Sequence, residues 1–180
     1  MNRTREQVVY EGLTSLKIIH LNINGADQIK RGKLRYFLQS QDPDIMALSE
    51  THLKDRDGLE EFWGYEWVGN NFTRAQRASR GTGFLIRKGI PFSTVELGRN
   101  LIEEGRATGI CIGNTNIWVF YMPVSTDEVD KINSCFEGMG EALLMGADDD
   151  KRTVIVGDLN AHRNGWCHTG DTDTGGIKID

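Results

Sequence analysis

Asp158 and Asn160 stand two positions apart at the end of the run Thr153-Val154-Ile155-Val156-Gly157. On an extended backbone, side chains two apart leave the same face. A carboxylate beside an amide there suits a water, a divalent cation or a phosphate oxygen. The same Gly-Asp-x-Asn sequence is also ordinary turn chemistry after a strand, so the pair must be weighed with other residues. Three further apolar runs end in the same way. One delivers Asn22 and Asn24, one delivers Glu50, and one carries Tyr121 just before its end. Each has a plain structural use: the asparagines can satisfy turn backbone, Glu50 can cap a loop, and Tyr121 can be a core residue with a wet hydroxyl. Four such endings at the same chemical end of four strands point instead to one shared pocket, if those strands are neighbours in a layered fold.

The elements that must position these residues can be read from pattern. Residues 16–21 read as the first strand, followed by the turn-prone Asn22-Ile23-Asn24-Gly25. A helix is expected from Asp27, with Ile29, Leu34, Phe37 and Leu38 as its apolar stripe and basic residues between them. Asp42-Pro43 should stop it, because the residue before proline avoids the helical region. Residues 44–49 read as a second, buried strand, which makes a strand–helix–strand unit. A polar loop, an aromatic segment (Phe62, Trp63, Tyr65, Trp67) and a basic loop follow. Residues 83–87, 92–97, 106–112 and 116–122 read as strands, the last ending at Pro123. A second helix should open at Ser125, where Ser125 and Glu128 fit a capping box. Val129, Ile132, Phe136, Met139 and Leu143 are its expected buried face. The β-branched run of residues 153–156 is then a strand covered on both faces, and Gly157 is expected to turn the backbone sharply. Beyond His162 the sequence turns irregular.

Length and composition agree with one globular domain over residues 1–180. Hydrophobic residues make up 38% and charged residues 26% of the chain, which is too apolar for a disordered protein. Cys111, Cys135 and Cys167 are too widely spaced for a disulfide framework or a paired zinc motif. No apolar run approaches a membrane span, and the polar N-terminus lacks the apolar core of a signal peptide, so an intracellular protein without membrane contact is expected. The net charge of −5 hides an asymmetry: residues 1–90 carry net +3 and residues 91–180 net −8. Two acid-free basic stretches lie in the first half, Lys30, Arg31, Lys33 and Arg35, then Arg74, Arg77, Arg80, Arg87 and Lys88. Either can meet phosphates, or serve as a solvated helix face and a mobile loop.

Taken in order, Leu21-Asn22-Ile23-Asn24-Gly25, Ser49-Glu50-Thr51-His52-Leu53, Gly81-Thr82-Gly83-Phe84, Tyr121-Met122-Pro123 and Gly157-Asp158-Leu159-Asn160-Ala161-His162 resemble the endonuclease/exonuclease/phosphatase superfamily. Within it the set is most similar to the apurinic-type endonuclease domain of non-LTR retrotransposons, from Leu16 onward. The resemblance implies a four-layer, DNase I-like α/β sandwich of two mixed sheets flanked by helices. It implies Mg²⁺-dependent hydrolysis of a phosphodiester, with Mn²⁺ as a substitute, that nicks DNA to leave a primer end. Glu50 would be the main metal ligand, assisted by Asn22, with Asn24 where the family often has a polar metal-site residue. Asp158 would orient and deprotonate the attacking water, Asn160 would hold the phosphate or the nucleophile, and Tyr121 would contact the scissile phosphate. Lys33, Arg74, Arg77 and Arg80 would meet the DNA backbone. A reverse transcriptase in the same parent protein and, for genomic DNA, the nucleus follow from the same resemblance.

The sequence departs from that pattern at its end. The family's last strands carry an Asp that completes the metal site and a Ser-Asp-His, and the chain stops at Asp180 before either. The expectation is a domain missing its last strands. Two alternatives remain: a phosphomonoesterase or lipid phosphatase of the same superfamily, or a catalytically inactive fragment. Asp171-Thr172-Asp173-Thr174-Gly175-Gly176 echoes a calcium loop but lacks a third ligand before the glycine. Cys167-His168 with His162 makes a poor zinc chelate, since adjacent residues rarely share one ion well.

Overall fold

The computed structural model describes residues 15–54, 57–60, 62–74, 77–97, 104–123, 129–148 and 150–160. The capping box at Ser125, the Asp171–Gly176 loop, and His162, Cys167 and His168 lie outside the described residues.

Strand β1 (Ile18–Asn22) leads into helix α1 (Gln28–Gln41), and β2 (Ile45–Ser49) returns parallel to β1. Asp27 caps α1: its carboxylate accepts from Lys30 N at 2.9 Å, satisfying one of the open N–H groups of the first turn. Asp42 closes the helix in the left-handed conformation, its N–H on Leu38 O. The aromatic segment supplies β3 (Tyr65–Asn70), and the basic loop is a small hairpin, β4 (Thr73–Arg74) with β5 (Arg77–Ala78). After β6 (Thr82–Arg87) come β7 (Ser93–Val95), β8 (Ala107–Ile112), β9 (Thr115–Tyr121), helix α2 (Val129–Asp148) and β10 (Arg152–Asp158).

Two mixed four-stranded sheets result, in the orders β1-β2-β6-β3 and β10-β9-β8-β7. In each, one pair is parallel and the remaining neighbours are antiparallel. Alternation along the strands sorts side chains into three apolar layers. Met46 and Leu48 of β2 face outward onto Leu34 and Leu38 of α1. Ile45 and Ala47 face inward with Phe84, Ile86, Ile110, Ile117 and Val119. Trp118 and Phe120 of β9 face outward onto Ile132, Cys135 and Ala142 of α2. The layers are therefore helix, sheet, sheet, helix.

Three expectations need correction. Ile29 is 75% exposed and belongs to the solvent face of α1, not to its apolar stripe. Val129 and Leu143 are also exposed on α2, whose buried face is built around Ile132, Cys135 and Ala142. Gly157 does not turn the chain. It lies inside β10, opposite Phe120, with φ +155. A Cβ there would sit 2.1 Å from Phe120 O, so glycine is required by close strand approach.

Candidate functional site

The layer between the sheets changes character along its length. On β1 the inward positions run Ile18, His20, Asn22. On β2 they run Ile45, Ala47, Ser49, and on β6, read backward, Ile86, Phe84, Thr82. On the second sheet, β9 runs Ile117, Val119, Tyr121, β10 runs Val154, Val156, Asp158, and β8 backward runs Ile110, Thr108 and then Arg106. Each of these six strands thus passes from apolar to polar toward one end. Register delivers this: Asn22 pairs with Ser49 in the first sheet, and Asp158 pairs with Tyr121 in the second.

At that end one amide joins two carboxylates. Asn22 Nδ2 donates to Glu50 Oε1 at 2.9 Å and to Asp158 Oδ2 at 2.6 Å. The Tyr121 hydroxyl bonds the Glu50 side chain. His52 Nε2 lies 3.5 Å from the other Glu50 oxygen. Asp158 Oδ1 accepts from Asn160 N at 3.1 Å, and Asn160 Nδ2 donates to Met122 O at 2.6 Å. Asn22, Glu50, Tyr121, Asp158 and Asn160 are therefore brought together. Asn24 enters through its backbone N–H, which donates to Asn22 Oδ1 at 3.0 Å and fixes that carboxamide.

The loops that hold these groups are conformationally unusual. Asn24, Glu50, His52 and Asn160 all have φ between +44 and +52, a left-handed conformation that costs a non-glycine residue of the order of 1 kcal/mol or more. Backbone bonds hold them there. Gly25 N and Ala26 N donate to Glu50 O and Thr51 O, and Thr51 N and His52 N donate to Gly81 O and Arg80 O. The loop after β2 is so stitched between the loop after β1 and the start of β6.

Burial pushes the Tyr121 hydroxyl up to about 12, reinforced by the Glu50 carboxylate it bonds, so the phenol keeps its proton at neutral pH. Burial likewise lowers His20, against the opposing pull of Asp158, so its imidazole is neutral there. His20 Nε2 and Ser49 Oγ are 3.1 Å apart directly beneath the site. Four residues of this constellation were not singled out from sequence: His20, Ser49, His52 and Arg106. Period-two spacing from Asn22 could have found His20; nothing local marks Arg106.

The basic residues divide into two groups. Lys33 and Arg77 are exposed. Arg80 is held by Glu104 at 3.0 Å and lies over the Phe72 ring, 4.8 Å from its centroid. Arg74 ends β4; its side chain is outside the described residues. Arg87 lies at the far end of the sheet, clamped by Asp42 and Asp44 over the Tyr65 ring.

The oxygens available at the site are the two carboxylates of Glu50 and Asp158 and the nearby amides. These are hard donors. Among the described residues no group of three His, Cys, Asp or Glu side chains is placed to hold a metal. Such a sparse oxygen set matches a cation that keeps most of its own waters, as Mg²⁺ does, and does not match a four-ligand Zn²⁺ centre.

A family profile described as Endonuclease/Exonuclease/phosphatase family matches residues 19–180. The chain belongs to that family. No curated protein sequence matches it. Among solved structures it is similar to an AP endonuclease from Archaeoglobus fulgidus, with a TM-score of 0.66 and 21% identity over 82% of this chain and 58% of that one. It is also similar to the 3′ phosphatase NExo from Neisseria bound to a product DNA hairpin, with a TM-score of 0.63 and 17% identity over 82% and 58% of the two chains. The endonuclease domain of TRAS1, a telomere-specific non-LTR retrotransposon, aligns with a TM-score of 0.62 and 14% identity over 91% and 69%. At these identities the likeness establishes the family's DNase I-like α/β sandwich. The chain spans 58% of the length of the first two structures. Among the described residues, no helix is long and apolar enough to cross a membrane.

Proposed function

We propose that this chain supplies the catalytic core of a Mg²⁺-dependent DNA-nicking endonuclease of the retroelement kind. The observation that carries the reading is the Asn22 amide donating to both Glu50 and Asp158, with the Tyr121 hydroxyl on Glu50. Two groups from the first sheet and its loop, and two from the second, meet where a phosphodiester could be held and attacked.

Glu50 and Asn22, with Asn24 beside them, would hold the cation. When bound, Mg²⁺ supplies charge neutralisation for the phosphate and its leaving oxygen. Asp158 orients a water and accepts its proton. Its Oδ1 is anchored by Asn160 N, which leaves the carboxylate fixed in direction. The Asn160 carboxamide is oriented by Met122 O to hold the phosphate or the attacking water. Tyr121, protonated at neutral pH, donates a hydrogen bond to a phosphate oxygen. Exposed Lys33 and Arg77, with Arg74, hold the DNA backbone at the rim. The likeness to the endonuclease domain of a telomere-specific non-LTR retrotransposon supports the retroelement part of this reading; a reverse transcriptase in the same parent protein and nuclear DNA as the target belong to the same proposal.

Supercoiled plasmid incubated with the protein and Mg²⁺ tests this reading. Conversion to open circles that disappears with EDTA and with Glu50→Ala is expected. No conversion, or conversion untouched by Glu50→Ala, overturns it. The NExo likeness favours a second reading, removal of a 3′ phosphate from DNA. Release of inorganic phosphate from a 3′-phosphorylated hairpin, without plasmid nicking, would select it.

A further inference from the structure

Arg106 is 1% exposed, the only charged side chain in the fully buried set of the described residues. A guanidinium removed from water is costly unless its surroundings compensate, and an apolar side chain of similar volume would fill the same space at lower cost. Its position is specific. Arg106 immediately precedes β8 and Tyr121 ends β9, and Tyr121 N donates to Arg106 O at 2.8 Å. The two are cross-strand neighbours on the inner face, where opposed side chains meet. The guanidinium carbon lies 6.0 Å from the centroid of the Tyr121 ring, within reach of a cation–π attraction.

Glu104 sets the other side. Its Oε2 accepts from Arg106 Nε at 2.9 Å and from Arg80 Nη1 at 3.0 Å. Gly105 makes this turn with φ +65, and a Cβ there would meet Phe72 at 2.8 Å. The turn is so wedged against the base of the β4–β5 hairpin. Gly81 N also donates to Gly105 O at 3.2 Å, tying it to the strand that holds the Glu50 loop.

We propose that Arg106 is a positioning residue for Tyr121. Held by Glu104, it braces the inner side of the ring and fixes the phenol where its hydroxyl reaches Glu50. Tyr121 is then located at three points: its backbone N–H, its ring and its hydroxyl. Through Glu104 and Arg80 the same brace connects the basic hairpin to the reacting groups. The contribution to rate rests on the nuclease reading; the bracing of the ring does not.

The test uses protein labelled with 3-fluorotyrosine, the Tyr121 signal being assigned with Tyr121→Phe, and plasmid nicking in parallel. The parent should give one narrow ¹⁹F line for Tyr121. In Arg106→Met and Glu104→Gln that line should split or broaden, while Arg77→Ala leaves it unchanged. Nicking by Arg106→Met should lose at least about tenfold in kcat with KM within about twofold. In a Tyr121→Phe background the added loss should vanish. Should Arg106→Met fail to fold, Arg106→Lys keeps the charge but not the planar fork, and the same line broadening is expected. An unchanged Tyr121 line in a folded Arg106 variant overturns the proposal, as does a full additional rate loss in the Tyr121→Phe background. A line that responds in a protein that does not nick retains the brace and removes the nuclease reading.

Discussion

Asn22 and Asp158, 136 positions apart, are joined by a hydrogen bond of 2.6 Å from the Asn22 amide to the Asp158 carboxylate. The same amide nitrogen serves Glu50. It is a bridge between two like charges on different sheets, and between the two edge strands β1 and β10. Asn22→Leu leaves those carboxylates facing each other without a donor. Nicking is expected to fall roughly a hundredfold, with little change in folding because Asn22 is exposed. Plasmid conversion rates and a circular dichroism melt check this.

Binding of Mg²⁺ to the folded state alone must raise its melting temperature by mass action. The parent is expected to melt higher in millimolar Mg²⁺ than in EDTA, and Glu50→Gln is expected to show no such difference. An equal shift in both would place the cation elsewhere.

Gly157→Ala puts a methyl group against the Phe120 carbonyl, 2.1 Å away, inside a paired strand. Neither strand can withdraw without breaking the β9–β10 ladder. A loss of roughly 3 kcal/mol is expected in urea denaturation, with activity falling alongside stability.

Tyr65 gives a prediction in pH. Its hydroxyl donates to Pro43 O at 2.7 Å, and burial raises its ionisation above the usual 10.0. The folded state therefore keeps a proton that the unfolded chain loses. That stability is fully present below pH 10 and is lost as pH rises through the raised folded value. Tyr65→Phe should cost about 1 kcal/mol at pH 7 and should flatten the decline of stability above pH 10. Urea midpoints from pH 7 upward measure both.

Arg77 and Arg87 come from one basic stretch and should behave oppositely. Arg77→Ala is expected to weaken DNA binding and reduce the slope of log K against log salt by about 1. Arg87→Ala should leave that slope unchanged and cost roughly 2 kcal/mol of stability, since it loses Asp42, Asp44 and two backbone carbonyls. Filter binding over a salt series with a parallel urea melt separates the two.

The sequence made the strands at 44–49 and 116–122 legible because both are continuous apolar runs, and the structure shortens or shifts each by one or two residues. The start of α1 near Asp27 was legible as well. The face of α2 was legible only in part: Ile132, Phe136 and Met139 pack against the sheet, but size misled at Leu143 and Val129, which are exposed while Cys135 and Ala142 face the sheet. Small side chains let the helix lie close to Trp118 and Phe120. The aromatic segment carried no clear period, since Trp63 is 95% exposed while Phe62 and Tyr65 are core. At the site, Asn22, Glu50, Tyr121 and Asp158 were readable as polar endings of apolar runs. Arg106 was not, because a basic residue before a strand has no local mark of burial. Its place follows only from the pairing of β8 with β9.

The left-handed backbone at Asn24, Glu50, His52 and Asn160 has a consequence for how such a sequence ages. Glycine is the residue these four positions would choose on folding grounds alone. Glu50→Gly relieves the backbone penalty and the repulsion from Asp158, so its expected melting temperature is no lower than the parent's. Catalytic competence and fold integrity are thus under separate control here. On the nuclease reading, a variant that drifts to glycine at these loops would lose its chemistry while keeping its fold. Solubility and expression would then not report whether the site is intact.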